Sequence, residues 1–172
     1  SGGDGVLAMS DGEGHVSYSI DNGYTWTIVT PIPYSTTAFS VSQQVAAVIT
    51  FNNMNLAPWQ PENPIGNGEK IVIANAGEYN GTYYVNFIAD NAYTVCTDQA
   101  LQTPLDSSGF AAFSSGTVTF SHGTYIDAMD YANGYFYIGN DDEQVARAST
   151  SNMSAWTILD GQNNAFAYWN DF

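Results

Sequence analysis

Residues 19–26 read Ser-Ile-Asp-Asn-Gly-Tyr-Thr-Trp, the pattern S-x-D-x-G-x-T-W without a departure. This stretch constrains the fold more than any other. Asp21 can turn its carboxylate back onto backbone N–H groups of its own turn, and Asn22-Gly23 supplies the positive-φ positions that a tight hairpin wants. Trp26 then opens the next strand, where its ring can pack under the turn. The predicted role is structural: the motif closes a hairpin.

The motif has a degenerate partner. A shift of 130 positions carries Ser19, Asn22, Trp26, Thr27 and Ile28 onto Ser149, Asn152, Trp156, Thr157 and Ile158, and Asp11 and Glu13 onto Asp141 and Glu143. No gap is needed between Val6/Phe136 and Ile28/Ile158. Ser151 replaces Asp21, Met153 replaces Gly23 and Ala155 replaces Thr25, which predicts a weaker turn that keeps its Trp anchor. Trp26 and Trp156 are both assigned to the core. A second match, at a shift of 37, relates residues 128–133 to 165–170, a length suited to one small repeat unit. Phe172 then aligns with Tyr135 and Gly5-Val6 with Tyr135-Phe136, so the last segment supplies the strand that the first unit lacks. Either the chain is cut from a longer protein, or this strand completes the first unit in its own chain or a neighbour's.

Seventeen acids stand against Lys70 and Arg147, a net charge of −15. That balance argues against nucleic acid and against insertion in or binding to an anionic membrane, since phosphates need Lys and Arg to neutralise them. No run reaches the length of a membrane span and no signal peptide is visible. Ser1-Gly2-Gly3 reads as a linker or tag remnant. Twelve Tyr and 16 Gly, with frequent Asn and Thr, fit an all-β chain rich in tight turns. Cys96 stands alone in the strand-like run 93–97 and reads as a buried core thiol.

Three segments follow: a first unit over 1–42, running into a stretch at 37–41 that resembles 164–168 and can begin the next unit; a separate β module over 43–122; and a second unit with the C-terminal strand over 123–172. In the module a strand is expected at 71–74, followed by the strand-like runs 78–85, 92–95 and 115–119. The run Gly66-Asn67-Gly68-Glu69, then Asn80-Gly81-Thr82-Tyr83-Tyr84-Val85, Tyr93-Thr94-Val95 and Gly116-Thr117-Val118-Thr119 resembles a small β-barrel module of phage tail proteins, one similar to the first catalytic-cysteine half-domain of ubiquitin-activating enzymes. The resemblance covers roughly residues 44–120 and transfers no catalytic role to Cys96. The flanking units resemble the Asp-box repeats of sialidase-like β-propellers, through Ser19, Asp21, Gly23, Thr25 and Trp26 and, in the second copy, Ser149 and Trp156. Together the resemblances imply an all-β fold, with Asp-box propeller-like blades around an inserted small β-barrel, and a phage tail fibre or receptor-binding protein, virion-borne or extracellular.

Sialidase chemistry needs a cluster of arginines to hold its substrate carboxylate, and this chain has one Arg. Paired carboxylates could serve another glycan hydrolase; the candidates are Asp11, Glu13, Asp141, Asp142 and Glu143, all where turns are expected. Asp141-Asp142-Glu143 matches no EF-hand spacing, so no metal and no cofactor are assigned. His15 and His122 read as surface or turn residues. No catalytic residue is assigned and the chain is read as non-enzymatic. Sugar recognition fits better, because aromatic rings with amide and carboxylate neighbours are plentiful. The candidates are Trp59, in the Pro-rich loop 55–64, with Tyr34, Tyr131, Tyr135, Tyr168 and Trp169.

Two small blades cannot close a propeller, and open strand edges invite pairing. Self-association is therefore expected, as a homotrimer whose chains close one ring, with other virion proteins or host surface glycan as partners. The alternatives are a bacterial carbohydrate-binding or adhesion domain, a glycan hydrolase using acidic residues and, on charge alone, a DNA mimic.

Overall fold

The computed structural model describes residues 5–11, 14–52, 65–89, 91–123, 126–140 and 144–159. In chain order the strands are β1 (Leu7–Ser10), β2 (Val16–Ser19), β3 (Thr27–Val29), β4 (Pro33–Thr36), β5 (Phe39–Val41), β6 (Val48–Phe51), β7 (Glu69–Ala74), β8 (Gly81–Ala89), β9 (Ala92–Cys96), β10 (Thr117–Gly123), β11 (Ile126–Ala132), β12 (Tyr135–Asn140), β13 (Val145–Ser149) and β14 (Asn152–Ile158). They form three antiparallel sheets, and the protein is all-β. The chain divides into two compact units, 34–121 and a discontinuous one made of 1–33 with 122–172.

The contiguous unit is one seven-stranded sheet of order β4-β10-β7-β8-β9-β6-β5. Its two edge strands are consecutive in the chain, separated only by Thr37 and Ala38, so the sheet curls to a near-barrel. Period-two alternation drives the closure: Ile71 and Ile73 of β7 point inward while Lys70, Val72 and Ala74 point out. Inside, Phe51 lies 5.4 Å from Phe120, 6.1 Å from Tyr93 and 6.4 Å from Phe39 between ring centroids, all tilted or edge-on. Such pairs add about 0.5–1.5 kcal/mol each beyond burial. Cys96 is buried at the end of β9, where burial, and secondarily the Asp98 charge, push its thiol up. The unit opens at Tyr34 rather than at 43. Phe39 and Val41, in the stretch read as the start of another blade, fill this core, and β5 pairs with β6.

The discontinuous unit holds two open meanders, β1-β2-β3 and β11-β12-β13-β14. Val16, Ile32, Ile126, Ile138 and Ala146 form one apolar cluster, and Val6, Phe136, Ala148 and Met153 another. Gly123 marks where the chain re-enters this unit. A Cβ there would lie 2.6 Å from the Gly14 carbonyl oxygen and 2.9 Å from that of Ile32, so only glycine lets the returning backbone pass its point of departure. The described residues show two separate meanders and no propeller topology.

The 130-residue shift lays β1-β2-β3 over β12-β13-β14, but the registers differ. Leu7 opposes Ser19 in the first hairpin, whereas Tyr137, its shifted counterpart, opposes Arg147 rather than Ser149. A bulge in β13 between Arg147 and Ser149 adds a further irregularity.

Candidate functional site

The hairpin turn between β2 and β3 is built around one carboxylate. Asp21 Oδ1 accepts the Thr25 backbone N–H at 2.8 Å and the Ser19 hydroxyl at 2.7 Å, and Oδ2 accepts the Thr25 hydroxyl at 2.7 Å. Ser19 is buried, and its Oγ in turn accepts the Gly23 N–H at 2.8 Å. Asn22 and Gly23 take φ of 60° and 90°. The hydrogen bonds, the Thr25 hydroxyl foremost, hold the Asp21 carboxyl down at about 2. The side chains of Ser19, Asp21, Thr25 and Trp26 all hydrogen-bond within the turn, as a structural role requires.

In the second copy Ser151 reaches Ser149 at 2.9 Å between hydroxyls and donates its N–H to Ser149 Oγ at 3.3 Å. With Ala155 in place of Thr25, the clasp across the turn is missing. The two tryptophans also face opposite ways. Val16 and Val29 share the core side, which puts Trp26 and Ile28 on the other face; Trp26 is 42% exposed, not a core residue. In the copy the changed register puts Ile158 opposite the buried Ala146, so Trp156 faces inward and packs on both clusters. Its indole nitrogen is buried without a hydrogen-bond partner, whereas that of Trp26 donates to the Gly23 carbonyl at 3.1 Å.

The acidic turns correct a further expectation. Asp11 Oδ1 accepts the His15 N–H at 2.9 Å, and its Oδ2 lies 3.1 Å from His15 Nδ1. The same clasp recurs at Asn140, whose Oδ1 accepts the Gln144 N–H at 2.8 Å and whose amide donates to Gln144 at 3.0 Å. Asn140, and not Asp141, is therefore the structural counterpart of Asp11. Glu13, Asp141, Asp142 and Glu143 lie outside the described residues. His122, expected at the surface, is buried at 8% exposure. Among the described residues no group of three or more His, Cys, Asp or Glu could hold a metal ion.

Of the proposed sugar contacts, Trp59, Tyr168 and Trp169 lie outside the described residues. Tyr34 is half-buried and stacks on Phe120 at 5.3 Å, so its ring belongs to the packing of the seven-stranded sheet. Tyr131, 36% exposed, leans on the buried Phe136 at 5.2 Å, on the core side of its sheet. Tyr135 differs. Phe136, Ile138, Ala146 and Ala148 take one face of β12-β13, which leaves Tyr135, Tyr137, Arg147 and Ser149 on the other. On that face the Arg147 guanidinium carbon lies 4.7 Å from the Tyr135 ring centroid and the two tyrosine rings lie 6.3 Å apart. Asp130, opposite Tyr137, and Thr157, opposite Arg147, border them.

Arg147 stands opposite Tyr137 yet reaches back over Tyr135, toward the start of β12. In a chain with 17 acids, no described carboxylate pairs with it. A guanidinium over a tyrosine face gains about 0.5–1 kcal/mol at an exposed site and keeps its outward N–H groups for an acceptor. The signal for this cluster was in the sequence: Tyr135 was a candidate, and Tyr137 and Arg147 lie on alternating strand positions beside it. What was missing was the register that makes Arg147 the neighbour of both rings.

No protein-family model matches the chain, and no curated protein matches it.

Proposed function

We propose that this protein is a non-enzymatic attachment protein that recognises surface glycan through the face carrying Tyr135, Tyr137 and Arg147. The observation that carries the reading is the Arg147 guanidinium over the Tyr135 ring, with no described carboxylate to neutralise it. Aromatic faces suit the C–H side of a pyranose, and the guanidinium suits a hydroxyl or carboxylate acceptor. Asp130, Ser149 and Thr157 add hydroxyl partners. A net charge of −15 disfavours a densely anionic polymer, so a neutral or sparsely carboxylated glycan fits best.

The setting proposed is a virion tail or fibre, outside the cell, with partners among other virion proteins or host glycans. In this reading the two meanders are blades of an Asp-box propeller, completed by self-association as a homotrimer, and the curled sheet is the inserted barrel. Its support is the hydrogen-bonded Asp21 turn and the recurrence of a three-strand meander at the 130-residue shift.

Titration of neutral and carboxylated oligosaccharides by calorimetry or NMR tests the glycan reading. Arg147→Ala and Tyr135→Ala are each expected to weaken binding at least tenfold, about 1.4 kcal/mol, with the circular dichroism spectrum unchanged. Release of reducing ends from a bound polysaccharide would favour a hydrolase instead, and wild-type affinity in both variants would remove this face from consideration.

A further inference from the structure

Asn-Gly pairs stand at 22–23, 67–68, 80–81 and 133–134. In such a pair the glycine nitrogen can attack the asparagine side-chain carbon, because glycine has no side chain to obstruct the approach. Attack asks two things of the fold. The asparagine amide must be loose enough to swing onto its own backbone, and the glycine N–H must not be engaged elsewhere. All four asparagines are exposed, so burial does not separate them. Their hydrogen bonds do.

At Asn22-Gly23 the nucleophile is taken: the Gly23 N–H donates to Ser19 Oγ at 2.8 Å. The Asn22 side chain also lies against Gly5, where an added Cβ would meet Asn22 Oδ1 at 2.6 Å. At Asn67-Gly68 both groups are taken. Asn67 Oδ1 accepts the Phe87 N–H at 2.8 Å, and the Gly68 N–H donates to the Val85 carbonyl at 2.9 Å. At Asn80-Gly81 the amide is held, because Asn80 Oδ1 accepts the Ala76 N–H at 2.8 Å. Tyr83 crowds that glycine as well: an added Cβ would lie 2.7 Å from its hydroxyl.

Of the four, Asn133-Gly134 has neither restraint. The pair is the two-residue turn between β11 and β12, with Ala132 opposite Tyr135. Its φ values of 52° and 81° are close to the 60° and 90° of Asn22-Gly23, so the two turns share a backbone shape. They differ in the residue four before the glycine. Ser19 covers the Gly23 N–H, whereas Asp130, in the matching place, makes no such bond. Among the described residues neither the Asn133 amide nor the Gly134 N–H has a hydrogen-bond partner, and an added Cβ on Gly134 would meet nothing within 4 Å. Thr150 fastens only the Gly134 carbonyl. We infer that Asn133 is a site of spontaneous covalent modification, the place where the folded chain deamidates first. The Gly134 nitrogen bonds to the Asn133 side-chain carbon, the bond from that carbon to the amide nitrogen breaks, and ammonia leaves with the proton given up by the Gly134 N–H. Water then opens the cyclic imide at either carbonyl, leaving aspartate or isoaspartate at 133. Either product adds a negative charge beside the start of β12, and isoaspartate also inserts an extra carbon into the backbone of the turn. The reaction does not depend on whether the face beside Tyr135 binds glycan.

The test uses the full wild-type chain, incubated at mildly alkaline pH once folded and once in urea. Peptide-mapping mass spectrometry follows each asparagine, and isoaspartyl methyltransferase labelling identifies isoaspartate. In the folded chain Asn133 is expected to convert at least roughly tenfold faster than Asn22, Asn67 and Asn80, since a hydrogen bond that must break before attack raises the barrier. In urea, with the restraints of the fold removed, the four rates are expected to converge. Any of the other three keeping pace with Asn133 in the folded chain overturns the proposal, as does an Asn133 that stays intact while the urea sample converts. The same ranking in urea overturns it too, because local sequence rather than the fold would then set the rates.

Discussion

Asp21 shows how much of a turn one carboxylate can organise. It accepts from two hydroxyls and a backbone N–H, and those bonds favour its charged form, which lowers its carboxyl from 3.8 to about 2. The linkage has a definite sign. A carboxylate depressed in the folded state contributes stability that is complete above its unfolded value and is lost as pH falls toward the folded one. The Asp21 contribution should therefore be full above pH ~4 and fade between about 4 and 2. Asp106 is lowered by the Ser108 hydroxyl and backbone. Asp98 is lowered as well: desolvation opposes the shift, and bonds from Gln102 and Thr103 outweigh it. Both act in the same direction, so acid weakens three turns together. Urea unfolding of wild type and Asp21→Asn at pH 6 and pH 2.5 checks this. The gap between their midpoints should be clear at pH 6 and shrink at pH 2.5; a gap independent of pH would mean that charge is not what the turn uses. Buried Ser107 makes a similar case for a neutral group. Its hydroxyl lies 2.7 Å from the Ser42 carbonyl and 3.1 Å from that of Gln44, and accepts the Gln44 N–H at 3.1 Å. Ser107→Ala removes the hydroxyl that serves the Gln44 N–H and the Ser42 carbonyl, at an expected cost of about 0.5–1.5 kcal/mol in chemical unfolding.

At the scale of elements, the loop from β9 to β10 carries a local mismatch. Five described non-glycine residues have positive φ; four are asparagines, at 22, 75, 91 and 133, and the fifth is Leu101 at 60°. The left-handed region costs an ordinary L-residue roughly 1–2 kcal/mol, and Asn tolerates it. The conformation is imposed from outside: Asp98 accepts the N–H groups of Gln102 and Thr103, and its carbonyl accepts that of Leu101. Leu101→Asn should therefore stabilise the protein by about 0.5–1 kcal/mol, the strain relieved less the burial lost. A thermal midpoint unchanged or lower would show that the half-buried leucine side chain outweighs the strain. Elements were the most legible level of this fold. The Asn22-Gly23 turn, the strand at 71–74 and the strand-like runs in 78–85, 92–95 and 115–119 were readable because turn chemistry and period-two alternation act over a few residues. Facing was not readable. Trp26 and Trp156 share a motif position and point to opposite sides, because a shift in β-pairing register moves side chains between faces. Asn140 takes the place of Asp11 for the same kind of reason. The Tyr135 face was half legible: the rings could be guessed from composition, but Arg147 becomes their neighbour only through the register of β12 with β13.

For the molecule as a whole, the division at 34 and 121 has experimental content. Among the described residues the contiguous unit has its own core of 17 buried side chains and pairs every strand from β4 to β10 within one sheet. Residues 34–121 expressed alone should give one cooperative unfolding transition and dispersed amide resonances. Collapsed, undispersed spectra would show that the unit needs the rest of the chain. The boundary at 43 was missed because it was set from the repeat pattern, and the strands that open the curled sheet at 33–41 carry no marker of which core they will join. The resemblance on which that division rested was likewise too short in motif to say where the sheet's edge strands begin.

The close passage of Gly123 against Ile32 has a consequence in time. The first unit begins with residues 5–33, but its four-stranded sheet starts only at Ile126, roughly ninety residues later. At about 5–20 residues per second on a ribosome, Val6, Val16 and Ile32 wait roughly 5–20 s for the strands that bury them, while the contiguous unit can emerge and fold in the interval. A nascent chain halted with residue 121 just clear of the ribosome should thus present one protease-resistant piece behind an N-terminal hairpin that is still cleavable. The order in which the polypeptide is made is the reverse of the order in which its first strands are covered.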